Sequence, residues 1–202
     1  MKIHNYKNYN QYREKQIMAN KHKIDWVWAW EGTVVSIIRH YTRLVREPTS
    51  VLCHGSRNGA EVKYFQKHLP EATVLGTDIS PTATNYLDQV VWDFQIRNND
   101  WVGKWDIVYS NSFDHSNKPE ETLTIWKEQI TKDGIVAVDY SVWPDHTNQK
   151  PNSVDCLHIT FDELEKLFDK VGLVPIITKK VTYTKEQNPA DISTKFYLLR
   201  RK

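Results

Sequence analysis

Cysteine is nearly absent from this chain of 202 residues: it has Cys53 and Cys156 and no more. Two thiols so far apart exclude a disulfide framework and point to the cytoplasm. No apolar run approaches the roughly 18 residues of a membrane span. The opening Met1-Lys-Ile-His-Asn-Tyr6 lacks the apolar core of a signal peptide. Charge of one sign is lacking as well. Basic and acidic side chains number 27 and 25, a net +2, so nothing electrostatic argues for nucleic acid as a partner. Internal repeats, linkers and low-complexity blocks are missing too. What is present is ordinary for a soluble domain, 40% apolar and 26% charged, and long enough for one full core. Eight tryptophans and ten tyrosines stand out. Most of them suit a core, and some suit the wall of a pocket for a flat ligand.

The strongest local signal is Thr49-Ser-Val-Leu-Cys-His-Gly-Ser-Arg-Asn-Gly-Ala-Glu61. An apolar run ends in a glycine, a second glycine follows four residues later, and helix formers come next. That pattern predicts a buried strand turning tightly into a helix. Glycine lets backbone approach a ligand closely, and the helix start offers unpaired N–H groups. The next apolar run, Thr73-Val-Leu-Gly-Thr-Asp78, closes on an acid 19 positions after Gly59. An acid at that place commonly binds ribose hydroxyls.

Residues 1–24 read as an N-terminal arm, loosely packed or forming a short helix, ahead of a single domain over 25–202. Val27, Trp30, Val34, Ile37, Ile38, Tyr41, Leu44 and Val45 recur at helical spacing, with Pro48 as the stop. Strands are then expected at 51–54, 73–78, 90–92, 105–110 and 135–140. Helices are expected at 58–68, 82–87, 119–130 and 161–171, with Thr160 capping the last. Residues 141–157 form a long loop. Two β-rich segments close the chain, joined by a turn at 184–192. Alternation of this kind predicts an α/β fold with a parallel sheet and helices on both faces.

Four segments, in order, resemble the class I S-adenosylmethionine-dependent methyltransferases. Val51–Gly59 looks like the glycine-rich motif, Gly76-Thr-Asp-Ile-Ser80 like the acidic motif, Val91-Trp-Asp-Phe94 like the adenine loop, and Asp106–His115 like the motif ending the fourth strand. The resemblance implies a Rossmann-like, doubly wound, mostly parallel seven-stranded sheet with an antiparallel C-terminal strand. It implies S-adenosylmethionine as cofactor and methyl transfer to a small molecule by in-line displacement. Asp78 would take the ribose and Asp93 the exocyclic amine, with Ile79 and Trp92 against the base. His54, Gly55, Ser56 and Gly59 would border the methionine portion, and Asn111 and Ser112 the sulfonium. Asp114 and His115 are the candidate catalytic pair, although the same cluster also fits a solvated turn. Tyr140, Trp143 and His146, with Asp139 and Asp145, fall where substrate would be touched or on a surface loop.

Two positions depart from the pattern. Cys53 stands where the family has an acid, and Arg57 where it often has a glycine. Arg57 could pack away, pair with Glu61 or grip the methionine carboxylate. The alternative function is a non-catalytic Rossmann-like binding module with a degenerate cofactor site. A nicotinamide-dependent oxidoreductase fits the glycine spacing poorly. Cys53-His54 and Cys156-Leu-His158 match no zinc spacing, so no metal is expected.

Overall fold

The structure, a computed structural model, describes residues 1–142, 150–181 and 193–202. Trp143, Asp145, His146 and the connector at 184–192 lie outside the described residues. Among those described, no helix is long and apolar enough to cross a membrane.

Among the described residues, nine strands and five α-helices follow one another. A two-residue strand β1 (Lys2–Ile3) precedes α1 (Tyr9–His22) and α2 (Glu31–Leu44). Then come β2 (Ser50–His54), α3 (Ala60–His68), β3 (Thr73–Asp78) and β4 (Gln89–Val91). After these lie β5 (Trp105–Ser110), α4 (Pro119–Gln129) and β6 (Ile130–Val142). The chain closes with β7 (Leu157–His158), α5 (Phe161–Lys170), β8 (Leu173–Val181) and β9 (Ser193–Arg201).

Seven strands form one sheet in the order β4-β3-β2-β5-β6-β9-β8. The pairs from β4 to β6 are parallel, and β9 runs antiparallel to both β6 and β8. The chain winds outward from β2 to β4, then returns to lay β5 on the other side of β2. The strand order therefore reverses between β2 and β5, where open α/β sheets bind their ligands. The expected doubly wound sheet with its antiparallel end is present.

Period-2 alternation explains the two-sided core. Val51 and Cys53 of β2, Ile107 and Tyr109 of β5, and Ala137 of β6 face α2 and α3, meeting Val34, Ile37 and Phe65. Leu52, Val108, Val136 and Val138 face the other way, against Trp126 of α4 and Leu164 and Phe168 of α5. Both faces are covered, so these strands read as continuous apolar runs.

Helix boundaries follow local chemistry. The Thr160 hydroxyl accepts from the Glu163 N–H, and the Glu163 carboxylate accepts from the Thr160 N–H, a capping box that starts α5. Pro119 occupies the first turn of α4. The helix expected from Val27 onward begins later, at Glu31. Residues 26–30 are not helical, and Trp26, Val27, Trp28 and Trp30 line a cavity. The helix expected at 82–87 is a short 3-10 turn, Pro81–Asn85, started by the Ser80 hydroxyl.

Helix α1 buries Tyr12, Gln16 and Asn20, one face of three successive turns. Its Tyr9 hydroxyl donates to Asp93 Oδ2 at 3.0 Å, its Tyr12 hydroxyl to the His115 carbonyl at 3.2 Å, and its Gln16 amide to the Val154 carbonyl at 3.0 Å. Strand β1 pairs with β7. The N-terminal segment is thus docked across the carboxyl ends of the central strands.

Candidate active site

The turn after β2 is built around three residues in the left-handed region. Gly55 has φ +71°, and a Cβ added there would sit 2.7 Å from Ser112 Cβ. Only glycine lets this turn pass so close to the loop after β5. Gly59, φ +72°, starts α3. Arg57 also has a positive φ, 41°, without being glycine. Its backbone N–H donates to Asp78 Oδ2 at 3.0 Å, and the Ser80 N–H donates to Asp78 Oδ1 at 2.8 Å. Asp78 is therefore clamped beside the glycine turn. Burial raises its pKa, while the N–H donors from Ser80 and Arg57 act in the opposite sense.

Two cavities open along this rim. The smaller, ≈50 Å³, has Gly55, Asp78, Ile79, Asp93 and Phe94 in its wall. Helix α1 supplies the opposite wall with Tyr12, Gln16, Ala19 and Asn20. Asp93 Oδ1 accepts from the Gln95 N–H at 3.0 Å, and Oδ2 from the Tyr9 hydroxyl. Burial raises its pKa as well. Each carboxylate offers about four lone pairs, so both Asp78 and Asp93 keep acceptor capacity toward the cavity.

The larger cavity, ≈300 Å³, shares Lys23, Gly55, Arg57, Ser112 and His115 with the smaller. Acids are concentrated here: Glu61, Asp114, Asp139 and Asp155 are all in its wall. Burial pushes Glu61 up to about 7 against the pull of Arg57, and pushes Asp139 up to about 7. Asp114 is raised by burial while His115 opposes the shift. Trp26, Trp28 and Trp30 also line it, with the first two ring centroids 5.9 Å apart. Arg57 Nη1 donates to the Trp26 carbonyl at 3.2 Å, and the Asn58 amide donates to the Ile24 carbonyl at 2.8 Å. The glycine turn thereby ties down the tryptophan segment.

A metal could be held in one place among the described residues. Ligand atoms of Asp114, His115 and Asp155 lie within 4.8 Å of one another. His115 Nδ1 lies 2.9 Å from the Val154 carbonyl, which can only accept, so this nitrogen carries the proton and leaves Nε2 toward Asp114.

The structure brings together Gly55, Asp78, Ile79, Asp93 and Ser112 at the smaller cavity. Ser56, Asn111, Asp114 and His115 border the larger. Four expected positions are corrected. His54 is turned into the core, its Nε2–H donating to Gln129 Oε1 at 2.8 Å and its Nδ1 2.9 Å from the Thr77 hydroxyl. It stacks on Trp126, and burial lowers its pKa to about 4. Trp92 packs edge-on against Trp101 and donates to the Ile96 carbonyl. Phe94 takes the place in the cavity wall expected of Trp92. Tyr140 is buried beside Phe113, its hydroxyl on the Leu157 carbonyl. Gly59 is in the wall of neither cavity and serves the start of α3.

The departures do not interrupt the turn. Cys53 is core, and Arg57 contributes the N–H that holds Asp78. Sequence reasoning missed the α1 face, Trp26, Trp28 and Asp155. The α1 face is polar, so apolar periodicity could not mark it. The alternation Trp26-Val-Trp-Ala-Trp30 was the available signal for the tryptophans.

No family model matches this sequence, and no curated relative does. Solved structures do resemble it. The 1,6-didemethyltoxoflavin-N1-methyltransferase of Burkholderia thailandensis, with its substrate and S-adenosylhomocysteine bound, aligns with a TM-score of 0.69 at 16% identity, over 95% of this chain and 88% of that one. The plantazolicin methyltransferase BpumL, with a pentazolic desmethylPZN analogue and S-adenosylhomocysteine, aligns at 0.69 and 14% over 96% and 98%. The geranyl diphosphate C-methyltransferase of Streptomyces coelicolor A3(2) aligns at 0.65 and 9% over 95% and 98%. The chain has the class I methyltransferase fold.

Proposed function

We propose that this chain transfers a methyl group from S-adenosylmethionine to a small-molecule acceptor. The observation that carries the reading is Asp78. It ends β3 beside the point where the strand order reverses, is held by two backbone N–H groups, and faces a cavity with lone pairs to spare. Its carboxylate suits the two hydroxyls of a ribose. Asp93 suits an exocyclic amine, and Ile79 and Phe94 supply apolar surface for a base. Arg57, beside Glu61, suits the charged end of an amino acid. Bound there, S-adenosylmethionine supplies a methyl group already activated on a sulfonium. The protein's task is then alignment and exclusion of water, with a proton acceptor where the nucleophile carries a proton. The larger cavity adjoins at Gly55, Ser112 and His115 and would seat the acceptor.

Ligand sites usually run from roughly 300 to 1,000 Å³, and the smaller cavity is far below that. Helix α1 is the wall that must give, since its contacts there are polar and few. The neighbours named above support a small or extended natural-product acceptor as the substrate class. Calorimetry with S-adenosylhomocysteine tests the reading. Charge-assisted hydrogen bonds contribute about 1.5–3 kcal/mol each, so Asp78→Ala is expected to weaken binding by about 100-fold or more. Failure of the unsubstituted protein to bind, or equal affinity in the variant, would sink it.

A further inference from the structure

Resting on the reading just given, we infer that the larger cavity takes a basic organic amine, held as a cation between the tryptophan segment and Asp139, and that Asp139 accepts its proton. Asp139 lies near the carboxyl end of β6, on the strand face it shares with Ala137 and Ser141. Its residue surface is 6% exposed, and its Oδ1 has no hydrogen-bond partner among the described residues. A buried, unpartnered carboxyl oxygen is costly unless a donor or counter-charge arrives. The fixed cations of this cavity are engaged elsewhere. Arg57 donates to the Trp26 carbonyl and sits among Glu61, Asp78 and Asp114, and Lys23 acts on Asp114.

The same cavity has an aromatic lining as well. Trp26 is 50% exposed, Trp28 47% and Trp30 37%. Indole faces attract organic cations, most strongly where water is excluded. They also cover a flat ring without demanding a hydrogen bond. An apolar amine satisfies both the carboxyl and the indoles, whereas a neutral alcohol brings one donor but no positive charge and an anion meets four acids. Burial, which holds Asp139 near 7, also makes its carboxylate a competent base at neutral pH.

The step balances. Asp139 takes one N–H proton from the bound ammonium, freeing the nitrogen lone pair. That pair forms the new nitrogen–methyl bond as the methyl–sulfur bond breaks, and the sulfur keeps the bonding electrons as a neutral thioether. The product is an N-methylammonium ion, and the Asp139 proton passes to solvent as it leaves.

Three amines test this against their matched alcohols: benzylamine against benzyl alcohol, 2-phenylethylamine against 2-phenylethanol, and tryptamine against tryptophol. Affinity is read by ligand-observed NMR on protein saturated with S-adenosylhomocysteine. At least one amine is expected to bind about tenfold more tightly than its alcohol. That preference is expected to collapse in Asp139→Asn and to weaken in Trp28→Leu, a surface change that leaves the core intact. S-adenosylhomocysteine affinity should stay unchanged in both, which separates loss of this inference from loss of the cofactor reading. Transfer of labelled methyl to the preferred amine should fall about 100-fold in Asp139→Asn. Equal binding of every amine and its alcohol, or a preference that survives Asp139→Asn, overturns the proposal.

Discussion

At the scale of single residues, the site is organised by groups whose solvation has been removed. Asp139 carries a carboxyl at about 7 because burial disfavours its charge. The sign of the consequence follows from proton binding. Between the ordinary carboxylate value near 4 and about 7 the folded chain holds the proton and the unfolded chain does not, so stability falls as pH rises across that window. Asp139→Asn removes this dependence. The variant is expected to gain stability relative to the parent as pH goes from 5 to 8, by an amount on the order of a few kcal/mol. Urea melts at both values check it, and a constant difference would contradict the burial argument. His54 works in the opposite direction. Its pKa is lowered to about 4, so the stability it confers is present above about 6.5 and is lost as pH falls toward 4. The substitution leaves His54 in place, so its effect cancels in the comparison.

At the scale of elements, α1 is the piece whose role differs from its appearance. Its buried face is Tyr12, Gln16 and Asn20, so beyond the one ring of Tyr12 it removes little apolar surface, and hydrogen bonds hold the rest. Such contacts open at low cost compared with a packed core. A cofactor entering the small cavity would replace the Tyr9 contact to Asp93 and press on Tyr12. Hydrogen exchange across residues 9–22 is accordingly expected to be fast in the free protein and markedly slower with S-adenosylhomocysteine bound. Protection of α1 equal to that of α4, with or without ligand, would show a fixed wall. By contrast, β5 and β6 are covered on both faces, and their amides should exchange only with global unfolding.

At the scale of the whole molecule, one sheet carries both halves of the proposed site. Cofactor groups come from β2, β3 and β5, and acceptor groups from β5, β6 and the segment before α2. Ligand binding should therefore stabilise the entire fold. S-adenosylhomocysteine at a hundred times its dissociation constant contributes about 2.7 kcal/mol, which for a chain of this length raises Tm by roughly 5–10 °C. A scanning melt without that rise would argue against a folded, competent site. The parallel strands, helices α3, α4 and α5, the glycine turn and the acid ending β3 were legible beforehand, because apolar period, glycine and strand-end acids are local signals written in consecutive residues. What the chain by itself left open was which neighbours of those motifs face outward. His54, Trp92 and Tyr140 sit next to true rim residues, yet a one-residue step along a strand, or one turn of a loop, sends a side chain into the core. The polar face of α1, the tryptophan segment tied down by Arg57 and Asn58, and the solitary carboxyl of Asp139 depend on contacts between residues far apart in the chain. Only tertiary packing decides such contacts, because burial and missing partners are properties of a place in the fold and not of a residue's type.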